Sequence, residues 1–178
     1  KDIKVDGDLY TRYSGTPLYG TTFGNKNTPD DLEMWFPIVE KAYAQFKGGS
    51  YDKIGEGGAP GDVLNEVLGT ESQEFYIDGA KSDRLFNKIK DAEAKHLPMA
   101  AVTYGDDKES LYHNTGVYAD HTYSIYGAAE EGGKKYVILR NPWGESEAGS
   151  DGKNDGIFKL EMSEFMKLYQ SFSLAGQR

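Results

Sequence analysis

Two apolar segments meeting across a polar turn limit this chain more than anything else in it. Thr122 to Ala128 carries Tyr123, Ile125 and Tyr126 and reads as a strand, and Tyr136-Val137-Ile138-Leu139 reads as a second, shorter and more apolar one. Glu130-Glu131-Gly132-Gly133-Lys134-Lys135 between them is a polar, glycine-bearing turn. A hairpin of this kind brings the residue before its first strand beside the residue after its second. His121 and Asn141 hold those two places. Pro142 then ends strand pairing, because it has no amide hydrogen to donate. Trp143 follows as a large flat wall beside the carboxamide, placed to keep water from its hydrogen bond to the imidazole.

An imidazole oriented by a carboxamide makes up two thirds of a Cys-His-Asn thiol protease site. There the imidazole takes the thiol proton, the thiolate attacks the scissile carbonyl, and the imidazolium protonates the leaving amine. The third residue holds the ring in one tautomer and orientation. The nucleophile is missing: the chain has no cysteine among its 178 residues. By itself it performs no thiol chemistry and forms no disulfide. Taken singly, a histidine near a strand end is most often an ordinary half-buried residue and Asn-Pro an ordinary turn. The hairpin gives the pair its meaning.

Composition removes other classes. A formal net charge of -9 argues against binding a phosphate backbone, which needs clustered Lys and Arg. No apolar run approaches the roughly 20 residues of a membrane-spanning helix. His96 and His113 have no carboxylate partners at zinc-ligand spacing. Thirteen tyrosines suit a sheet-rich domain, and the length fits one domain over 1–178 with a real core.

Along the chain, Ile3 to Tyr13 alternates as a strand. Thr28-Pro29-Asp30-Asp31 caps a helix whose Leu32, Trp35, Phe36, Val39, Tyr43 and Phe46 follow the helical period, with Trp35 and Tyr43 read as core packing, and Gly48-Gly49 ends it. Pro60 opens a shorter helix to about Leu68. Ser82 to Ala94 is amphipathic through Leu85, Phe86 and Ile89. Met99 to Tyr104 and Phe158 to Leu160 read as strands, Ser163 caps a helix through Tyr169, and Phe172 to Leu174 completes the sheet. The expected class is α+β, an antiparallel sheet packed with a few helices.

Arg140-Asn141-Pro142-Trp143-Gly144 is preceded by His121-x-Tyr123-Ser124-Ile125-x-Gly127 and followed by Asp155-Gly156-Ile157-Phe158 and Ser163-Glu164-Phe165. This series resembles the calpain family of cysteine proteases. Glu33-Met34-Trp35-Phe36-Pro37-Ile38-Val39-Glu40-Lys41-Ala42-Tyr43-Ala44 is similar to a further family segment, and Gly48-Gly49-Ser50-Tyr51 and Gly55-Glu56-Gly57-Gly58 stand where the family has its glycine-rich stretch. The order holds from about Val5 to Leu174.

The resemblance implies a papain-like sheet subdomain with His121 as general base then acid and Asn141 orienting it. The family's cysteine lies on a helix of an upstream subdomain, in a Gln-Gly-x-x-Gly-Asp-Cys-Trp type segment that nothing here matches. The chain is therefore expected to be a piece, with the cysteine and an oxyanion-hole Gln supplied by another segment or chain and peptides or proteins as substrate. Gly57 and Gly58 match positions where backbone meets an extended substrate, and a Cβ there would block the approach. Asp120 stands where the family usually has Gly, bordering the primary specificity pocket, while Trp143 covers the His–Asn bond. The resemblance also implies calcium. Glu147, Asp151 and Asp155 lie in a Gly-rich loop that folds to offer oxygens, and Glu33 belongs to a second family site. Ile157 replaces one acidic family position. Two rivals stand beside this reading. One is an inactive calpain-like module that binds peptide or calcium; the other is a transglutaminase-like acyl transferase, whose third residue is commonly Asp. Self-association through an uncovered apolar face is also expected.

Overall fold

The hairpin lies inside a six-stranded sheet in the computed structural model, which describes residues 2–19, 34–149 and 152–176. The chain gathers into two compact units, Lys1–Gly58 and Ala59–Arg178.

The first unit holds helices α1 (Trp35–Phe46) and α2 (Tyr51–Gly55). Helix α1 ends before Gly48 and Gly49, both at positive φ, and Gly49 donates back to the Ala44 carbonyl at 3.0 Å. The cap expected at Thr28 lies outside the described residues. The aromatic stripe of α1 departs from expectation: Trp35 is 58% exposed, and Phe36, Val39 and Phe46 are exposed too, while Pro37 and Ala44 are the buried residues. Trp35 is therefore not core packing, and Tyr43 is only half-buried. The strand expected at Ile3 to Tyr13 is absent among the described residues; that stretch has one isolated bridge, Thr11 to Pro17. Alternation alone does not make a strand without a neighbour to take its amides. Tyr10, Tyr19 and Tyr51 instead form an aromatic knot, with Tyr19 stacked on Tyr51 at 4.0 Å between ring centres.

The second unit runs α3 (Pro60–Leu68), β1 (Ser72–Tyr76), α4 (Ser82–Ala94), β2 (Met99–Thr103), a 3-10 helix (Asp106–Tyr112), β3 (Thr122–Glu131), β4 (Lys134–Arg140), β5 (Ile157–Glu161), α5 (Met162–Leu168) and β6 (Tyr169–Ala175). The strands lie in the order β1-β6-β2-β3-β4-β5 and every pairing is antiparallel. The α+β expectation holds. Gly132 and Gly133 form the two-residue turn between β3 and β4, with φ of 57° and 78°. Positive φ at both positions gives the turn the twist its strands need, and glycine takes it without steric cost.

Strand β3 alternates, with Tyr123, Ile125 and Gly127 buried between exposed Ser124 and Tyr126. The register slips between Ile125 and Gly127, leaving Tyr126 as a bulge. There the Glu93 carboxylate of α4 caps the Ala128 amide at 2.9 Å, and a Cβ on Gly127 would lie 2.3 Å from it. Leu85, Phe86, Ile89 and Ala92 form the buried stripe of α4, which packs on β3 and β4. Helix α3 covers β1 and β6. Phe165, Leu168, Tyr169 and Phe172, all essentially inaccessible, close the core from the last helix and strand, each such side chain contributing about 1.5–3 kcal/mol by leaving water. Ser163 does not cap α5. It sits inside the helix, whose cap position is Glu161, and bonds that residue's carboxylate.

Candidate active site

The strand ends converge as the hairpin predicts. His121 directly precedes β3, Asn141 directly follows β4, and His121 Nε2 lies 3.0 Å from Asn141 Oδ1. Asn141 is wholly buried, so its polar atoms need partners within the protein. The Trp143 amide donates to Oδ1 at 3.2 Å, and Nδ2 donates to the Ser146 carbonyl at 3.2 Å. A backbone N–H only donates and a carbonyl only accepts. These two contacts therefore settle which end of the carboxamide is oxygen. Facing the ring with an oxygen, Asn141 accepts, so Nε2 carries the hydrogen. In neutral imidazole the free lone pair then belongs to Nδ1, which has no hydrogen-bond partner among the described residues.

The ring is held from three further sides. Trp143 lies 4.5 Å away between ring centres, and Tyr123 meets it edge-on at 4.9 Å. Tyr118 stands edge-on to Trp143 at 4.8 Å and to His121 at 6.3 Å. Trp143 is 54% exposed and lies on the solvent side of the imidazole. Tyr123 is buried beneath the imidazole, and that burial pushes its hydroxyl up to about 12. The same hydroxyl accepts the Tyr118 amide at 3.0 Å, fixing the approach to the histidine.

Thr103 and Ser146, which the motifs do not mark, and Gly156 of the Asp155-Gly156-Ile157-Phe158 motif also build the site. Thr103, at the end of β2, clasps the His121 backbone: its hydroxyl accepts the His121 amide at 2.9 Å and donates to the His121 carbonyl at 3.0 Å. The signal for it was a threonine closing an otherwise apolar strand. Ser146 sits at φ 64°, a left-handed conformation that accompanies its carbonyl contact with Asn141. The Gly156 carbonyl accepts the Asn141 amide at 2.8 Å, and a Cβ on Gly156 would lie 3.0 Å from the Asn141 backbone oxygen.

Asp120 is exposed at φ 47° and its amide donates to the Tyr104 carbonyl at 2.7 Å. Left-handed backbone explains why a glycine suits this position; aspartate is among the few side chains that tolerate it. Gly57 and Gly58 follow α2 in the first unit, Gly57 at φ 81°, and a Cβ on either would meet no atom within 4 Å. Of the acidic candidates, Glu33 and Asp151 lie outside the described residues. Glu147 and Asp155 do share one loop: Glu147 Oε1 accepts the amides of Asp155 at 2.7 Å and Gly156 at 2.8 Å, and Asp155 Oδ1 accepts the Ile157 amide at 3.0 Å. Among the described residues no group of three or more His, Asp or Glu side chains is placed to hold a metal ion.

Comparison with known proteins agrees with the geometry. Residues 1–155 match the model of the calpain family cysteine protease. The calpain-type cysteine protease ADL1 of Oryza sativa subsp. japonica is 34% identical over 150 residues, which cover 79% of this chain and 6% of that protein. The calpain-1 catalytic subunit of Mus musculus is 31% identical over 152 residues, covering 82% of this chain and 20% of that protein. The chain thus spans only a small part of the curated relatives it matches. With the family's sheet, its sequence motifs and this match over most of its length, the chain belongs to the calpain family of cysteine proteases.

Proposed function

We propose that residues 1–178 act as the His/Asn subdomain of a calcium-responsive, calpain-like cysteine endopeptidase. His121 is its general base and then its general acid, Asn141 its orienting residue and Trp143 the shield over their bond. The observation that carries this is the 3.0 Å contact from Nε2 to an amide whose polarity the backbone dictates. With the hydrogen held on Nε2, Nδ1 takes the thiol proton. The imidazolium so formed keeps its bond to Oδ1 and returns the proton from Nδ1 to the leaving amine. The thiol that the chain lacks is supplied by a Cys-bearing segment or a separate chain, along with the oxyanion donor; within the second unit, Asp120 borders the specificity pocket, and in the first, Gly57 and Gly58 are open to an extended backbone. The exposed stripe of α1 supports a partner that covers apolar surface.

Calcium draws support from the Glu147–Asp155 loop, where two carboxylates are gathered at one turn. Each spends an oxygen on backbone amides, and a calcium shell takes six to eight oxygens. The described donors do not fill such a shell, and no step of the mechanism passes through the ion.

The test is complementation. Joined to a Cys-bearing calpain segment, the chain should cleave a peptide substrate, and His121→Ala should lower kcat/KM by about 100-fold or more. Undiminished cleavage in that variant removes His121 from the mechanism. The lack of any cysteine also favours a second reading, a peptide-binding module without turnover; failure to cleave with every complementing segment, alongside retained peptide binding, would select it.

A further inference from the structure

The second unit has an open cleft of about 310 Å³, walled on one side by Tyr118, that the catalytic reading leaves unused. Asp106, Glu109, His113, Gly116 and Tyr118 are among its walls. Tyr118 connects it to the reacting group, because the same ring lies edge-on to His121 and Trp143. The wall is built rather than loose. The Tyr118 amide is held by the Tyr123 hydroxyl, Val117 is buried, and the Tyr112 hydroxyl ties the 3-10 helix to the Leu168 carbonyl at 2.6 Å.

Direction follows from the chemistry of His121. The imidazolium delivers its proton to the leaving amine, so the part of the substrate beyond the scissile bond lies against the histidine and its flanking aromatic wall. A cavity opening past Tyr118 is positioned for a side chain on that half. Its charge selects which one. Asp106 and Glu109 both face the space, and neither forms an ion pair with a described residue. Lys108, the basic residue of the same 3-10 helix, is drawn instead onto the Tyr104 ring at 3.8 Å. An aromatic wall with two carboxylates in the same lining suits a long side chain with an apolar stem and a cationic end.

Resting on the proposed proteolytic role of His121, we infer that this cavity is a specificity subsite for a Lys or Arg side chain on the leaving-amine side of the cleaved bond. The probe needs no catalysis. Ala-Arg-Ala-amide, which imitates the released half of a substrate, is titrated into the 178-residue chain beside its citrulline and glutamate counterparts, and backbone amide shifts are followed. The arginine peptide should bind about fivefold tighter than the citrulline peptide, as an exposed ion pair allows, and move resonances of residues 106–119. Asp106→Asn combined with Glu109→Gln should abolish that preference while leaving the unbound Tyr118 and Ala119 amides in place. Equal affinity for the arginine and citrulline peptides, shifts confined elsewhere, or a preference surviving the double variant would each overturn the subsite. Because binding is read without turnover, a failure of the catalytic role appears in the His121→Ala complementation instead.

Discussion

At the scale of single residues, the site depends on groups whose partners are backbone. Thr103 is the clearest. One hydroxyl both accepts from and donates to His121, and it lies almost wholly buried. Thr103→Val keeps the shape and removes the hydroxyl, leaving the part-buried His121 amide without its acceptor. That should cost about 1–2 kcal/mol of stability and loosen the imidazole. Urea denaturation read together with the His121 ring resonances checks it; an unchanged midpoint with unchanged ring shifts would show that Thr103 does not position the histidine. His121 and Asn141 were legible in the sequence because strand period and turn chemistry are local, and together they place hairpin ends. Thr103 was not, because its role arises from pairing across 18 residues of chain. Ser146 was hidden for a similar reason: its contribution is a carbonyl direction, which its side chain does not advertise.

Elements were readable where burial and local signals agree. Pro60 to Leu68 and Ser82 to Ala94 form helices at the bounds expected of them. β1 went unseen because Ser72-Gln73-Glu74-Phe75-Tyr76 is a mostly exposed edge strand whose order comes from pairing with β6. Ile3 to Tyr13 shows the converse, an alternating stretch left without a ladder. The stop of α4 carries its own signature. The Leu97 amide returns to the Ala92 carbonyl and the His96 amide to the Glu93 carbonyl, both at 2.9 Å, with His96 at φ 53°. That is a Schellman ending with a histidine where glycine is usual. His96→Gly removes the Cβ penalty of left-handed backbone and should raise stability by about 1 kcal/mol. Thermal unfolding of the variant measures it, and a lower midpoint would mean that the His96 side chain supports the turn.

For the molecule as a whole, the tyrosines beneath the site set how the fold meets alkali. Tyr123 is pushed up to about 12 by burial, and Tyr169, packed on it at 5.6 Å, is held well above the ordinary tyrosine range by the same cause. A tyrosine in the unfolded chain loses its proton near 10. Between pH 10 and 12 the unfolded state therefore binds fewer protons than the native state, and stability falls as pH rises. Below 10 both states keep their protons, and this source of pH dependence vanishes. Tyr123 alone should account for a loss on the order of 2 kcal/mol across that window. The carboxylates beside Lys134 and Lys135 hold those ammonium groups above the ordinary lysine range, and exposed pairs of this kind contribute little. Tyr169→Phe separates the causes. Among the described residues its buried hydroxyl has no hydrogen-bond partner, so the variant gives up no bond there and removes one of the buried titrating tyrosines. Without cysteine, thiol or disulfide damage does not confuse the alkaline measurement. Denaturation at pH 8, 10 and 11 should show wild-type stability declining only over the upper step, with a shallower decline for Tyr169→Phe. Identical slopes for the two proteins would show that Tyr169 contributes nothing to the alkaline loss, leaving Tyr123 as its source beneath the site.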